Sequence, residues 1–569
     1  MNDYDSRYIR RIVKNPEDDE PRLDFADWLD SRKDSRGGFI RVQCALAKRS
    51  ETDADYFALQ DREQELLAKH GPKWRAPLYE DGPRRPGLLS TVDPSFRRGF
   101  IHGLSLWHWS DLRLHGRAIF QTVPTLQSLR FLIGRGILDD GEAVFADGLE
   151  RIPQLSRLTH LTLRCGLFDE SPGEKRVQQF LTRAHLGKIL TLELDGCMLG
   201  AGFTRVLART PVLSKLESLR LQGNRLRRMG TRELKNARWA SSIRSLAIVD
   251  DNLRSGIHGL GIAGASMPTL NSLCLSNCEL DDNSLELLAK MPWLSQIQNL
   301  DLSQNKFSAV GLKSLFASQW LHTLVSLNIE GTAVGDDGVN VLAHSPVIAT
   351  LNELNLAYTN LTDRGVRILA KSDRLQNLRH LCLGEAERPG DSYVKALGKA
   401  KWLGGIVSLK LKELQLSSTS LWEFGRCSLP NLRELSLFYC CVDDDGLKRI
   451  AGSSELSRLR TLDLTSNRIS CRGLKALAKS RHLKSLRRLV LDSNAEIGSS
   501  GTYALANSPV LDHVGWLGLQ STHNIGIKGF QALARSPYLE HLCKLDLEGT
   551  NHDVEFVYDE LRQRFGDRC

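Results

Sequence analysis

The sequence has 569 residues, of which 41% are hydrophobic and 25% are charged. A chain of this length exceeds one ordinary globular core, so several domains or a repeat array are expected. The 76 basic and 67 acidic residues leave a net charge of +9, a mild excess that gives little support to nucleic-acid binding as the main function.

Targeting segments and cofactor motifs are missing from the sequence. No apolar run resembles a signal peptide, and none approaches the roughly 20 residues that cross a bilayer. The twelve cysteines show no regular pairing, no Cys-Xaa-Xaa-Cys and no zinc-type spacing with histidine, and no P-loop motif is present. We therefore expect a cytoplasmic protein with reduced, buried thiols, no membrane association, no metal and no cofactor.

Residues 1–70 predict a small all-helical domain. Apolar residues recur at helical spacing in three segments, and Asn15-Pro16 and Arg36-Gly37-Gly38 predict the turns between them. A fourth helix is expected over residues 52–69. The apolar residues of the three segments are Ile9, Ile12 and Val13, then Leu23, Ala26, Trp28 and Leu29, then Phe39, Val42 and Leu46.

Part of this segment resembles a known family. Residues 15–23 read Asn-Pro-Glu-Asp-Asp-Glu-Pro-Arg-Leu, residues 26–30 read Ala-Asp-Trp-Leu-Asp, and Arg36 precedes Phe-Ile-Arg-Val-Gln at 39–43. Together they are similar to the bacterial repeat-companion domain, which precedes repeat arrays in otherwise unrelated proteins. That family has no assigned activity, so the resemblance implies an architecture and no chemistry.

Three aspartates recur along the second predicted helix, at Asp24, Asp27 and Asp30. This spacing is typical of a solvated polar stripe rather than a cation site. A structural hydrogen bond made by Asp27 is a further interpretation.

Residues 71–99 predict a connector, because they contain five prolines with Gly82 and Gly87 between them.

From Phe100 onward the motif Leu-Xaa-Leu-Xaa-Xaa-Asn recurs, and its cleanest copy spans Leu300 to Asn305. Copies between Leu192 and Leu381 begin every 27 residues. Later copies begin at intervals of 27 or 28, and less regular early copies begin near Leu104, Leu129 and Leu161.

One strand of the array has an ambiguous register. Leu381 and Leu435 are 54 residues apart, which is two repeat lengths. The strand between them can begin at Leu409 or at Leu414. We favour Leu414, because residues 411–416 match the form Leu-Xaa-Xaa-Leu-Xaa-Leu. The array then comprises about 17 units over residues 100–552.

A period of about 20–29 residues with this motif is typical of a leucine-rich repeat. Alternation with period two points both leucines into the core, and the second half of each copy has helical spacing. The asparagine can bond backbone groups of the turn after the strand, a place that Thr332, Thr359 and Cys440 take in other copies.

The unit of 27–28 residues resembles the ribonuclease-inhibitor type of leucine-rich repeat. That resemblance implies an α/β solenoid shaped as a horseshoe, with parallel strands on the concave face and helices outside. Residues 553–569 lack the motif and predict a C-terminal capping helix over the last core.

The residues that flank the leucines on the strand face are the part of the sequence most informative about function. From Leu300 onward, the positions around the leucines hold nine acidic residues against two basic ones, Arg488 and Lys544, with aromatic residues among them. We interpret this as a concave site for a protein or peptide partner, and the acidic excess favours a basic one. The predicted partner-binding residues are Asp301, Glu330, Glu353, Tyr358, Glu413, Glu434, Phe438, Tyr439, Asp463, Asp492, Trp516, Asp546 and Glu548.

Two alternatives stay open. Any solenoid strand face is polar, so the acidic excess can be without functional meaning. The basic run Arg225-Leu226-Arg227-Arg228 allows nucleic-acid binding through outer helices, although such runs are short and scattered. Because no catalytic constellation is found, we predict a monomeric, non-enzymatic interaction scaffold.

Overall fold

The structure is a computed structural model, and its described residues form two compact units, Met1–Glu279 and Leu280–Cys569. No helix in the described part of the chain is both long and apolar enough to cross a membrane. The described residues are 3–51, 53, 55–78, 94–106, 109–132, 151–164, 177–178, 180–182, 185–187, 189–197, 199–254, 256–265, 267–384, 390–550, 560–561 and 563–565.

Four helices open the first unit. The prediction of a turn at Arg36-Gly37-Gly38 was wrong, because these residues form the first turn of the third helix. A Cβ at Gly37 would lie 2.2 Å from Asp30 Oδ1 and 2.7 Å from the Ala26 carbonyl oxygen, so glycine allows the second and third helices to approach closely. The helices are α1 (Asp3–Lys14), α2 (Glu20–Ser31), α3 (Arg36–Leu46) and α4 (Tyr56–Arg75).

These helices pack against the first repeat strand. Ile12, Phe25, Leu29 and Ile40 form one buried cluster with Phe100. A second cluster surrounds Phe39, whose ring lies 4.7 Å from that of Trp74 in α4. The helix α4 therefore continues into the predicted connector, and its packing outweighs the unfavourable Pro72 in its last turn.

Strands β2 to β8 of the first unit are parallel, and β1 pairs with β2 as an antiparallel hairpin. The irregular early copies are in register, since Leu104 pairs with Leu129 and Leu129 pairs with Leu161. The strands are β1 (Ser95–Arg97), β2 (Phe100–Leu106), β3 (Ser128–Leu132), β4 (His160–Arg164), β5 (Thr191–Asp195), β6 (Ser218–Gln222), β7 (Ser245–Val249) and β8 (Ser272–Cys274). The helices that follow are α5 (Trp109–Thr122), α6 (Ala201–Arg209), α7 (Arg227–Glu233) and α8 (Ile257–Gly264).

The second unit repeats strand and helix throughout. Its parallel strands are β9 (Asn299–Asp301), β10 (Ser326–Asn328), β11 (Glu353–Ala357), β12 (His380–Gly384), β13 (Ser408–Lys412), β14 (Glu434–Phe438), β15 (Thr461–Asp463), β16 (Arg488–Val490), β17 (Trp516–Gly518) and β18 (Lys544–Asp546). Its helices are α9 (Asp282–Ala289), α10 (Ala309–Phe316), α11 (Gly335–His344), α12 (Asp363–Lys371), α13 (Asp391–Leu397), α14 (Ser418–Phe424), α15 (Asp444–Ala451), α16 (Cys471–Ala478), α17 (Ser499–Ala506) and α18 (Ile527–Ala534). The described residues thus fold as a leucine-rich repeat solenoid preceded by helices.

The preferred register at Leu414 was wrong. The strand β13 begins at Ser408, and Leu409 pairs with Leu381 on one side and Leu435 on the other. Leu414 instead takes the place that asparagine holds in the regular copies, five residues after the first leucine, and it is buried there. Parallel neighbours on both sides determine the register, whereas a leucine at the asparagine position creates a second match to the motif.

The asparagine of the motif bonds the turn after its strand, as the sequence predicts, and it also joins neighbouring repeats. Asn467 Nδ2 donates to the Leu437 carbonyl oxygen of the preceding repeat at 2.7 Å and to Leu464 at 2.9 Å, while its Oδ1 accepts from two backbone amides. Cys440 substitutes for it, since its thiol donates to the Leu411 carbonyl oxygen at 3.3 Å. Burial raises the pKa of this thiol to about 12, and Cys440 is free of disulfides.

Aspartates in the first turn of one outer helix accept hydrogen bonds from backbone amides at the start of the helix in the following repeat. Asp444 Oδ1 accepts from the Ser470 amide at 2.8 Å and from the Gly473 amide at 2.9 Å. Asp336 makes the equivalent bonds to Thr362 and Gly365. The predicted capping helix at 553–569 lies largely outside the described residues, among which 560–561 and 563–565 are helical.

Candidate functional site

The strand face of the second unit is arranged in rows. Three side chains per copy face away from the core: one before the first leucine, one between the leucines and one after the second. The strands pair in register, so equivalent positions of neighbouring strands lie side by side, about 4.8 Å apart. We call these the first, second and third rows of the strand face.

A polar cluster covers β10 to β13. In the third row, Lys412 Nζ lies 3.1 Å from Glu330 Oε1, and Asn355 Nδ2 of the second row donates to Glu330 Oε2 at 2.7 Å. The Tyr358 hydroxyl donates to Glu413 Oε1 at 2.6 Å, and Lys412 Nζ lies 5.8 Å from the centre of the Tyr358 ring. Three predicted site residues, Glu330, Tyr358 and Glu413, therefore meet around one lysine.

The corrected register reveals two strand-face cations that the sequence analysis missed, Lys410 and Lys412. Lys410 Nζ lies 3.2 Å from Glu434 Oε1, and the Ser408 hydroxyl donates to Glu434 Oε2 at 2.6 Å. The available signal was the alternation of Leu409 and Leu411 with the lysines, which has the strand period of two. With both lysines present, the acidic excess is smaller than the sequence analysis predicted.

Several predicted acidic residues bond to their own strand ends. Asp301 Oδ1 accepts from the Ser303 amide at 2.9 Å and from its hydroxyl at 2.6 Å. Asp463 does the same with Thr465, at 3.0 and 2.6 Å. Glu353 instead accepts from the Ser326 hydroxyl of the neighbouring strand β10 at 2.9 Å. In the described part of the chain, none of these three carboxylates is in an ion pair.

A second group of predicted residues lies on β14 to β17, where Phe438, Tyr439, Asp463, Asp492 and Trp516 come from four adjacent strands. We call it the central patch. Tyr439 is 56% exposed, while Phe438 and Trp516 are half-buried. Asp492 accepts from the Gln520 amide at 2.8 Å, and burial raises the pKa of its carboxyl, with the charges of Asp546 and Asp463 adding to the shift.

Gly518 gives the Asp492 carboxylate its space, because a Cβ on that residue would lie 2.7 Å from Asp492 Oδ1. Asp492 makes no ion pair with any described residue. The charge of Arg488 acts on this carboxylate without forming an ion pair, so the half-buried oxygens remain a favourable place for the positive group of a ligand.

Trp516 lies between the two basic residues of the first row. Arg488 Cζ is 3.8 Å and Lys544 Nζ is 4.4 Å from the ring centre, so a cation lies against the indole from each neighbouring strand. Lys544 also lies 3.3 Å from Asp546 Oδ2, and Glu548 accepts from Gln520 Nε2 at 3.1 Å. The predicted binding residues Trp516, Asp546 and Glu548 therefore lie among side chains of both charges.

The aspartate stripe of α2 is explained by ion pairs. Arg41 of α3 pairs with Asp30 at 2.7 Å and with Asp27, and Arg11 pairs with Asp24 at 2.8 Å. No cluster of three or more histidine, cysteine or acidic residues suited to a metal ion occurs in the described ranges. The stripe joins the N-terminal helices to each other.

Comparisons with known proteins find the repeat. A family model described as a leucine-rich repeat matches residues 321–343, 347–370, 428–451 and 457–478, all in the second unit. A search of curated proteins found no match.

Among solved structures, the chain is similar to one from the crystal structure of the Rad7 and Elc1 complex in yeast. The identity is 17% and the TM-score 0.40, over 62% of this chain and 81% of that one. It is also similar to an internalin from Listeria monocytogenes, with 16% identity and a TM-score of 0.31, over 65% of this chain and 93% of that one.

Proposed function

We propose that this protein is a non-enzymatic interaction scaffold that binds a protein or peptide on the strand face of its second unit, at the central patch. Stacked repeats of the ribonuclease-inhibitor type offer a surface that is ordered before binding, so little entropy is lost when a partner arrives. In this proposal the N-terminal helices, as a repeat-companion domain, accompany the array and do not form the binding face.

Tyr439 carries the proposal. Its φ of +53° lies in the left-handed region, which costs a residue with a Cβ about 1–2 kcal/mol. The same turn position is left-handed in other copies, where it holds Gly331, Gly549, Ser466 and Ser493 but also the larger Gln304, Tyr358 and Glu413. The strain therefore belongs to the turn, and the exposure of its ring distinguishes Tyr439. Tyr439 gains little packing in return, because its side chain is 56% exposed. An exposed aromatic residue on the same strand face as carboxylates that form no ion pair with a described residue has the character of a binding hot spot.

The partner favoured by this patch has a positive group near an apolar one. Asp463 and Asp492 lie between aromatic residues on β14 and β17, and neither carboxylate pairs with a cation among the described residues. A lysine or arginine side chain can bind such a carboxylate while its neighbour packs on Tyr439. The two lysines on β13 restrict this preference to the central patch.

Selection from a random-peptide display library tests the proposal. We expect enriched peptides that contain Lys or Arg next to an apolar residue. Binding should weaken at least tenfold in Tyr439→Gly and in Asp492→Asn. Tyr439→Gly should also unfold at a higher urea concentration than the wild type, because glycine removes the backbone strain.

The matched control is Tyr503→Ala. Tyr503 is 59% exposed on the outer helix α17, so its removal deletes a similar aromatic surface from the other face. Peptides that bind Tyr439→Gly as tightly as the wild type, or that lose affinity only in Tyr503→Ala, would contradict the assignment to the central patch.

A second candidate function is nucleic-acid binding on the outer helices. A groove of about 610 Å³ between α12 and α13 is lined by Arg367, Lys371, Lys395 and Lys399, none of which is in an ion pair with a described residue. A similar groove between α15 and α16 is lined by Asp444 and Asp445, which both pair with Arg472, and by a further set of basic side chains: Lys448, Lys475, Lys479 and Arg481. Binding to random DNA and RNA, followed as salt is raised, tests this function, since phosphate contacts give a steep salt dependence.

A further inference from the structure

A small cavity of about 30 Å³ lies within the first unit, between the N-terminal helices and the first repeat strands. The end of α1, the start of α2, the β1–β2 hairpin and the segment before β3 all contribute to its wall. Its polar lining consists mainly of cationic side chains, and no carboxylate lines it among the described residues. The polar groups that matter here are Arg22, Arg97, Arg98, His102, Gln127 and Arg157.

Arg22 is the most buried of these cations, with 6% of its surface exposed. Its Nη1 donates to the Asp18 carbonyl oxygen and its Nη2 to the Pro16 carbonyl oxygen, both at 2.6 Å. Its Nε is buried and has no hydrogen-bond acceptor. Burial lowers the pKa of this guanidinium, so an anion in the cavity would relieve an existing cost.

Arg98 has a buried Nε without a hydrogen-bond acceptor as well. That nitrogen forms an ion pair with Asp19 Oδ1, but the 3.6 Å between the two atoms is beyond hydrogen-bonding distance. Arg98 and Gly99 have φ values of +50° and +86°, as in a type I′ hairpin turn, where asparagine is the usual first residue. The hairpin therefore holds an arginine in a strained conformation at the edge of the cavity.

Positive charge exceeds negative charge around this cavity. Four guanidinium groups line it, while the carboxylates that pair with them from outside are Glu17 and Asp19. His102 in the same wall stays neutral, because burial and the charge of Arg97 lower its pKa to about 4. A cavity with this surplus of guanidinium groups is complementary to an anion.

We propose that this cavity binds a single carboxylate group, from a small carboxylic acid or from an acidic side chain or chain end of a partner. About 10–15 Å³ admits one water-sized group, so the volume suits the two oxygens of a carboxylate and is small for the four oxygens of phosphate. Guanidinium groups bind carboxylates through two parallel hydrogen bonds, and the Arg22 Nε donor, which has no acceptor among the described residues, can help to supply them.

Calorimetric titration of the full chain with sodium formate, in buffer without chloride, tests the proposal. We expect saturable binding of formate, at least tenfold weaker binding of inorganic phosphate, and weaker formate binding as the ionic strength rises. Arg157→Gln should weaken formate binding about tenfold, the loss of one charge-assisted hydrogen bond. Arg157→Lys keeps the charge but not the planar fork of the guanidinium, so its formate affinity should lie between those of the wild type and Arg157→Gln. It also provides the test if Arg157→Gln does not fold.

Arg62→Gln is the control, because Arg62 is an exposed arginine of α4 that pairs with Glu65 and does not line the cavity. It should bind formate as the wild type does. The proposal is overturned if the wild type shows no saturable formate binding, if phosphate binds more tightly than formate, or if Arg157→Gln and Arg157→Lys both retain the wild-type affinity.

Discussion

Lys412 Nζ lies 3.1 Å from Glu330 Oε1, although 82 residues separate the two in the sequence. They occupy the third row on β13 and β10, and the same row between them holds Ala357 and Gly384. A Cβ on Gly384 would lie 2.8 Å from Lys412 Cβ, so the absence of a side chain there lets the lysine extend along the sheet. One ion pair thus spans four strands.

Lys412→Met should destabilise the protein by about 1 kcal/mol, more than an exposed pair is worth, because the side chains of Lys412 and Glu330 are only 27% and 22% exposed. A double-mutant cycle with Glu330→Gln, followed by urea unfolding, measures the coupling between them. Lys401→Met is the control, since Lys401 and its partner Asp373 are 79% and 75% exposed. Equal effects of the two lysine substitutions would contradict the prediction.

Asn467→Ala should lower the free energy of unfolding by about 3 kcal/mol. It removes donors to the Leu437 and Leu464 carbonyl oxygens and the acceptor of two amides, and the site is buried. Asn467→Thr should cost less, because Thr332 and Thr359 fill this place in other copies with a bond of 2.7 Å to a carbonyl oxygen. Urea unfolding of both variants ranks the two effects.

Asp444→Ala should destabilise the second unit by about 2 kcal/mol, because it leaves the Ser470 and Gly473 amides without their cap. Asp445→Ala is a matched control one residue away, where the side chain is exposed and makes one longer ion pair to Arg472 at 3.5 Å. Thermal unfolding of the two variants compares them. A similar loss in both would show that charge, rather than capping, is responsible.

Asp492→Asn should stabilise the folded protein at pH 7. Burial raises the pKa of this carboxyl above its ordinary 3.8, so the folded state binds the proton more readily than the unfolded state does. The ionised carboxylate therefore costs stability as the pH rises through the folded pKa, a cost that the asparagine avoids. Unfolding midpoints of wild type and variant should converge below pH 3.8 and separate above it. The exposed Asp512→Asn is the control.

Much of the repeat architecture was predictable because it depends on local pattern. The leucines at Leu104, Leu129 and Leu161 lie in strands, and the asparagines and their threonine or cysteine substitutes bond to the turn as their chemistry requires. The failure at Leu414 came from the same local reasoning. A buried leucine at the asparagine position imitates the motif, and only the neighbouring strands distinguish the two registers.

The sequence by itself determined the period of the repeat, the inward positions of the leucines and the helices that precede the array, since these follow from alternation and composition over a few residues. The tertiary structure alone decided which side chains meet: Lys412 pairs with Glu330, Arg488 and Lys544 lie against Trp516, and Arg22, Arg98 and Arg157 line one cavity. These residues lie on different strands and helices, and their proximity depends on strand register and packing, which no local pattern encodes.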